Sequence, residues 1–273
     1  MRKSSCAERA AWQVYVAEAH AHVSEHPNVA TLHEAYHDES HLFFVMDLHM
    51  DGSLAERIYD AEEDGQEVDE DEERKLKSIM LQLIDALEHC HENDISHRDL
   101  KPGNILISQV GGEVKAYLAD FGLATSAKAG DEIAGTPPYT SPGMFDQLCL
   151  LFANRHSLEH GGIVNYAASD VWSLGITLAE MFAKNLPWGA AHHADEGFKA
   201  YMEDPKYLYR HTSISKQVNA VLREMLKIDP KHRIKLPELR KLVEGTDSFF
   251  KRRASKSAVV ASPPTPIMVP EEE

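Results

Sequence analysis

Cysteine is scarce in this chain of 273 residues, and the three that occur, Cys6, Cys90 and Cys149, are odd in number and far apart. That excludes a disulfide framework as the basis of the fold and predicts reduced thiols in a cytosol or nucleus. Positive charge is also in deficit: 28 Lys and Arg stand against 44 Asp and Glu, a formal net charge of −16. The imbalance opposes capture by nucleic acid or by an anionic membrane, so neither is expected as a partner. No run approaches the roughly eighteen apolar residues of a membrane span. The opening Met1-Arg2-Lys3-Ser4-Ser5-Cys6 lacks the apolar stretch of a secretory signal. The expectation is a soluble intracellular protein, cytoplasmic or nuclear, and its 43% hydrophobic content is enough for a real core.

Periodicity gives the order of elements. Trp12, Val16, Ala19 and Val23 form a helical stripe that stops before His26-Pro27-Asn28. Two β-like runs follow, Val29 to Ala35 and His41 to Leu48, with Asp38-Glu39-Ser40 as the turn. The acidic stretch from Asp60 to Glu73 reads as a solvated loop and the start of a helix. Leu76, Ile79, Met80, Leu83, Leu87 and Cys90 then mark one face of a long amphipathic helix. Short strands are expected at Asn104 to Ser108 and Glu113 to Leu118, parted by Gly111-Gly112. Ser169 is placed to cap a helix through Phe182 that is apolar nearly all round and therefore central. Further helices are expected at Ser215 to Ile228 and Leu236 to Leu242. From about Lys251 the composition predicts a disordered tail over 251–273.

Chemistry concentrates in His97-Arg98-Asp99-Leu100-Lys101-Pro102-Gly103-Asn104, with Asp120-Phe121-Gly122 sixteen residues beyond Asn104. Phosphoryl transfer needs a group to orient the attacking hydroxyl, cations to spread phosphate charge, and ligands to hold those cations. Asp99 can accept the hydroxyl proton and Lys101 can neutralise the transferred group. Asn104 and Asp120 supply the hard oxygens that Mg²⁺ prefers. A chance match to five fixed catalytic-loop residues is expected on the order of 10⁻⁴ times in such a chain.

These motifs, in this order from about Ala11 to Phe250, resemble those of eukaryotic protein kinases. The resemblance implies an α+β, protein-kinase-like bilobal fold with ATP and Mg²⁺ as cofactors and protein serine or threonine hydroxyls as substrates, in intracellular signalling. It further implies that Met46 is the gatekeeper, that Asp47-Leu48-His49 is the hinge for adenine, and that Leu106 packs beneath the base. His97 and Phe121 would join the column that aligns the lobes, and Gly122 completes the Asp-Phe-Gly. Gly135-Thr136 begins the segment that receives substrate, with Thr136 near Asp99 and Lys101. Asp170 resembles the carboxylate that anchors the catalytic-loop backbone, and Arg233 the arginine near the domain's end. Lys101 together with Gly135-Thr136 is the serine/threonine pattern. The pieces Val29 to Leu48, Ser169 to Trp188 and Ile214 to Leu239 most resemble fungal nutrient- and meiosis-regulating kinases.

Departures from the family pattern matter as much. No Gly-x-Gly-x-x-Gly occurs, and no Val-Ala-x-Lys strand precedes the first helix. Lys3 and Glu18 are a poor match for the phosphate-clamping pair, since the family's helix glutamate falls nearer Val16. The expectation is a partial N-lobe over 1–48, limited to one helix and a hairpin, and a mainly helical C-lobe over 49–250. The alternative function is a catalytically impaired interaction module or a truncated gene product. Gly143 replaces the glutamate that partners Arg233, and Gly103 removes a glutamate that selects basic peptides. His33-Glu34-Ala35-Tyr36-His37 matches a zinc motif, but a strand at this position would separate the two imidazoles. Arg98 beside Asp99 implies a pocket for an activation-loop phosphate placed by an upstream kinase, with Thr125 and Ser126 as candidates. Ser255, Ser262 and Thr265 in the tail have the form of further acceptor sites.

Overall fold

A computed structural model describes residues 6–38, 41–60, 69–130, 134–143 and 164–251. Lys3, most of the acidic 60–73 stretch and the tail sites Ser255, Ser262 and Thr265 lie outside the described residues.

Helix α1 spans Cys6–Val23. Its expected stripe is buried at Val16, Ala19 and Val23, while Trp12 stays 41% exposed. The antiparallel strands β1 (Leu32–His37) and β2 (Leu42–Met46) pair with an irregularity between Leu32 and Glu34. The first strand thus starts three residues later than its apolar run. Val29 instead makes a single parallel bridge to Leu118, because Asn28 to Ala30 crosses to the second lobe. There Leu118 N donates to Asn28 O (2.8 Å) and Ala30 N to Leu118 O (2.9 Å). Asn28 Nδ2 also donates to Gln82 Oε1 (2.8 Å) and Ala116 O (2.9 Å). His33 and His37 fall on β1.

After α2 (Leu54–Asp60) comes α3 (Glu70–Glu92). Asp69 caps α3 by accepting from Glu72 N at 2.8 Å, and four acids fill its first turn where the helix dipole favours them. Its apolar stripe is buried as the periodicity requires. A 3₁₀ turn at Pro102–Asn104 leads into the β3 (Ile105–Val110) and β4 (Glu113–Leu118) hairpin. Asn104 therefore belongs to the turn and not to the strand: its N–H donates to Lys101 O at 2.9 Å.

The two-residue strands β5 (Ala129–Gly130) and β6 (Val164–Asn165) pair in front of α4 (Tyr166–Ala183). Asn165, not Ser169, caps α4 by accepting from Ala168 N at 2.9 Å. Ser169 lies inside the helix, and its hydroxyl meets Ser141 Oγ at 2.9 Å. As its composition implied, α4 is buried nearly all round. The remaining helices are α5 (Glu196–Glu203), α6 (Tyr207–His211), α7 (Lys216–Met225, capped by Ser215) and α8 (Leu236–Glu244). One large hydrophobic cluster joins α1, α3, β3, β4 and α4 to α7 and α8. Among the described residues, no helix is long and apolar enough to cross a membrane.

Candidate active site

The loop between α3 and β3 is held by a carboxylate from α4. Asp170, fully buried, accepts from His97 N through Oδ2 and from Arg98 N through Oδ1, both at 2.8 Å. His91 Nε2 approaches the same Oδ2 at 2.9 Å. Three donors compensate a charge that could not be buried alone. They also hold Arg98 in the left-handed region (φ 68°), which a residue with a side chain enters only under constraint. The Arg98 guanidinium lies 4.5 Å over the Tyr166 ring. Gly135 (φ 107°) passes so near that a Cβ there would come within 2.7 Å of Arg98 O. Glycine is thereby required where the 135–143 segment crosses the loop.

Asp99 faces this crossing with an 11% exposed side chain. Thr136 Oγ1 donates to its Oδ1 at 2.7 Å, and Lys101 Nζ donates to its Oδ2 at 2.7 Å and to Thr136 Oγ1 at 2.8 Å. Asn104 Nδ2 donates to Asp99 O (2.8 Å) and to Oδ2 (3.2 Å). The four residues proposed for catalysis are therefore brought into one network. That use of Nδ2 leaves Oδ1 as the Asn104 atom available to a cation. Asn104 O accepts from Ala119 N at 2.9 Å, which sets Asp120 next to it. Asp120 (φ 59°) spends Oδ1 on Gly122 N at 3.2 Å, and among the described residues nothing bonds its Oδ2. The oxygen donors fit a hard divalent cation.

Behind the loop, His97 and Phe121 meet edge to face at 4.9 Å. His97 Nε2 bonds Ala119 O at 2.9 Å. A third member was missed: His20 of α1 stacks on Phe121 at 4.7 Å and bonds Ala30 O at 2.7 Å through Nε2. Burial holds the His20 imidazole below its ordinary value, opposed in part by the Ala30 carbonyl. Nothing in its local sequence marked it. Val16 is buried and Glu18 exposed, so the helix turns Val16 inward where a clamping glutamate was sought.

Of the residues assigned to adenine, Met46 ends β2, 42% exposed. The Asp47 carboxylate bonds His33 Nε2 at 2.7 Å, and this holds it below the usual carboxylate range. His49 packs on Tyr117 at 4.1 Å, Nδ1 meets Ser108 Oγ at 3.2 Å, and burial lowers its pKa. Leu106, on β3, bridges Ser53.

Arg233 was expected to be left without a partner by Gly143. It takes main-chain carbonyls instead: Ala168 O (2.6 Å) and Lys227 O (2.9 and 3.1 Å), 5.1 Å over the Trp172 ring. Burial lowers it to about 10. The buried Glu180 was also missed; its carboxylate accepts from Tyr59 and from Tyr139 of the 135–143 segment (2.6 Å to Tyr139). Burial and then Glu180 push the Tyr59 phenol up to about 12 and raise Tyr139 as well.

The protein kinase domain family's sequence profile matches residues 3–242. The "Negative regulator of sexual conjugation and meiosis" of Schizosaccharomyces pombe is 34% identical over 244 residues, which cover 85% of this chain and 50% of that one. "Serine/threonine-protein kinase SKS1" of Saccharomyces cerevisiae is 32% identical, covering 83% of this chain and 44% of its own. "Serine/threonine-protein kinase VHS1" of the same yeast is 30% identical, covering 84% and 49%. The chain thus spans about half the length of these curated relatives. Catalytic loop, anchoring carboxylate and profile agree, and the chain belongs to the protein kinase domain family, among its serine/threonine members.

Proposed function

We propose that this protein transfers the γ-phosphate of ATP to serine and threonine hydroxyls of other proteins, using a catalytic domain over residues 1–250. The observation that carries the reading is the Asp99 carboxylate, bracketed at 2.7 Å by a threonine hydroxyl and at 2.7 Å by an ammonium. Thr136 Oγ1 stands where an attacking hydroxyl would be received. Asp99 orients that hydroxyl and accepts its proton as the new O–P bond forms and the bond to ADP breaks. Lys101 neutralises the moving phosphoryl group. Asn104 Oδ1 and Asp120 Oδ2 are the atoms to hold Mg²⁺, which when bound spreads the charge of the phosphate oxygens. Met46, Asp47, His49 and Leu106 form the side that receives adenine, and residues 135–143 receive the protein substrate.

Of the two candidate sites for an upstream kinase, Thr125 is buried and backbone-paired with Ser96, whereas Ser126 is exposed. Ser126 is therefore the acceptor in this reading. The test is transfer of labelled γ-phosphate to a serine peptide. The parent should turn over, and Asp99→Ala should lose on the order of 10²- to 10⁴-fold in kcat. Equal turnover by both proteins, or none by the parent, overturns the assignment.

A further inference from the structure

A cavity of about 510 Å³ opens in the larger lobe between the end of α3, the first turns of α4 and residues 230–237, and Asp99, Lys101, Asn104 and Thr136 are not among the residues that line it. Its charges are segregated by wall. Glu88 and Glu92 come from α3, one helical turn apart, while Lys231, Arg233 and Lys235 come from the opposite segment. None of these five side chains makes an ion pair within 4.0 Å among the described residues. Between the walls lie apolar groups: Val171, Ile234 and Leu236.

Each wall is electrostatically incomplete. Arg233 is only 6% exposed; its guanidinium donates to main-chain carbonyls and lies over the Trp172 ring, and no carboxylate comes within 4.0 Å of it among the described residues. On the other side burial and the neighbouring Glu92 and Glu238 raise the Glu88 carboxyl, the mark of an acidic wall short of a cation. We propose that this cavity binds a small zwitterion, with a carboxylate at the Lys231–Arg233–Lys235 wall, an ammonium at the Glu88–Glu92 wall and an apolar body between them. The volume lies within the range of small-molecule sites. The occupant also lies against His91, which lines the cavity and bonds the carboxylate that holds the catalytic loop.

The test uses 6-aminohexanoate as probe against hexanoate and hexylamine, each titrated into the purified chain and followed by calorimetry and by melting temperature. The zwitterion should bind saturably and raise the midpoint, and each single-charge analogue should bind about tenfold more weakly. Glu92→Gln and Lys235→Gln lie at the exposed rim, so they should fold as the parent does. Each should cut the zwitterion's affinity by a similar factor while leaving peptide phosphorylation unchanged. Single-charge analogues that bind equally well, rim variants with parental affinity, or the absence of saturable binding would each overturn the proposal. Binding of a short peptide carrying lysine and aspartate, with none of the aminohexanoate, would overturn it in favour of a polypeptide occupant. None of these outcomes bears on transfer at Asp99.

Discussion

His20 shows how a single residue ties the two lobes together. Its ring stacks on Phe121 and its Nε2 bonds Ala30 O, so it works as a neutral imidazole in a buried column with His97. Because burial lowers its folded-state pKa, the unfolded chain binds the proton more readily. Stability from this residue is therefore fully present above the ordinary histidine value of about 6.5 and is lost as pH falls through and below it, by at most about 1.4 kcal/mol per pH unit. The groups facing the ring are His97, which opposes protonation, and Asp120, which favours it. Melting temperatures of the parent and of His20→Gln, recorded between about pH 7.5 and 5.5, should show a shallower fall for the variant. Parallel curves would remove His20 from the account. At this scale Asp99, Lys101, Asn104 and Asp120 could be singled out because they stand in short motifs at fixed spacings, and Asp170 because it stands in the short run Ser169-Asp170-Val171-Trp172. His20, His91 and Glu180 were not, because each acts on a partner far away in the chain.

Among the elements, α4 carries the most. Asp170 in its first half anchors the catalytic loop, Glu180 in its second half receives Tyr139, and Ser173 Oγ donates to Tyr139 O at 2.8 Å. The helix can serve all of these only if its other face packs closely, and Gly175 is where it does so. A Cβ there would meet Leu226 Cδ2 at 2.9 Å and Met225 Cβ at 3.1 Å. Glycine costs up to about 1 kcal/mol in a helix interior, so its place here reflects the contact with α7 and not helix propensity. Gly175→Val should destabilise by roughly 1–3 kcal/mol, lowering the melting temperature by several degrees. A midpoint equal to the parent's would show that the contact is slack. The nearly all-apolar run predicted a central helix correctly. The cap was misplaced by four residues, because Asn165 could be recognised only once β6 had ended the preceding segment.

For the whole molecule, a net charge of −16 means that compaction works against self-repulsion. Raising sodium chloride from about 20 to about 300 mM should therefore raise the melting temperature, since the Debye length shrinks below the spacing of surface charges. A flat or falling midpoint would show that local ion pairs such as Arg57–Glu72 and Arg240–Asp85 outweigh the net repulsion. The sequence by itself determined the family and the order of the main helices and hairpins, and it singled out the residues proposed for phosphoryl transfer, because these rest on periodicity, short motifs and spacing within a few turns of chain. Only the tertiary structure decided that Asn28 to Ala30 crosses to β4, that His20 completes the column on Phe121, and that Arg233 settles on carbonyls beside a cavity with opposite charges on its two walls. Those outcomes depend on pairings such as Val29 with Leu118, His20 with Phe121 and Arg233 with Ala168, which lie far apart in the chain and meet only when it folds, and no local pattern encodes such a meeting.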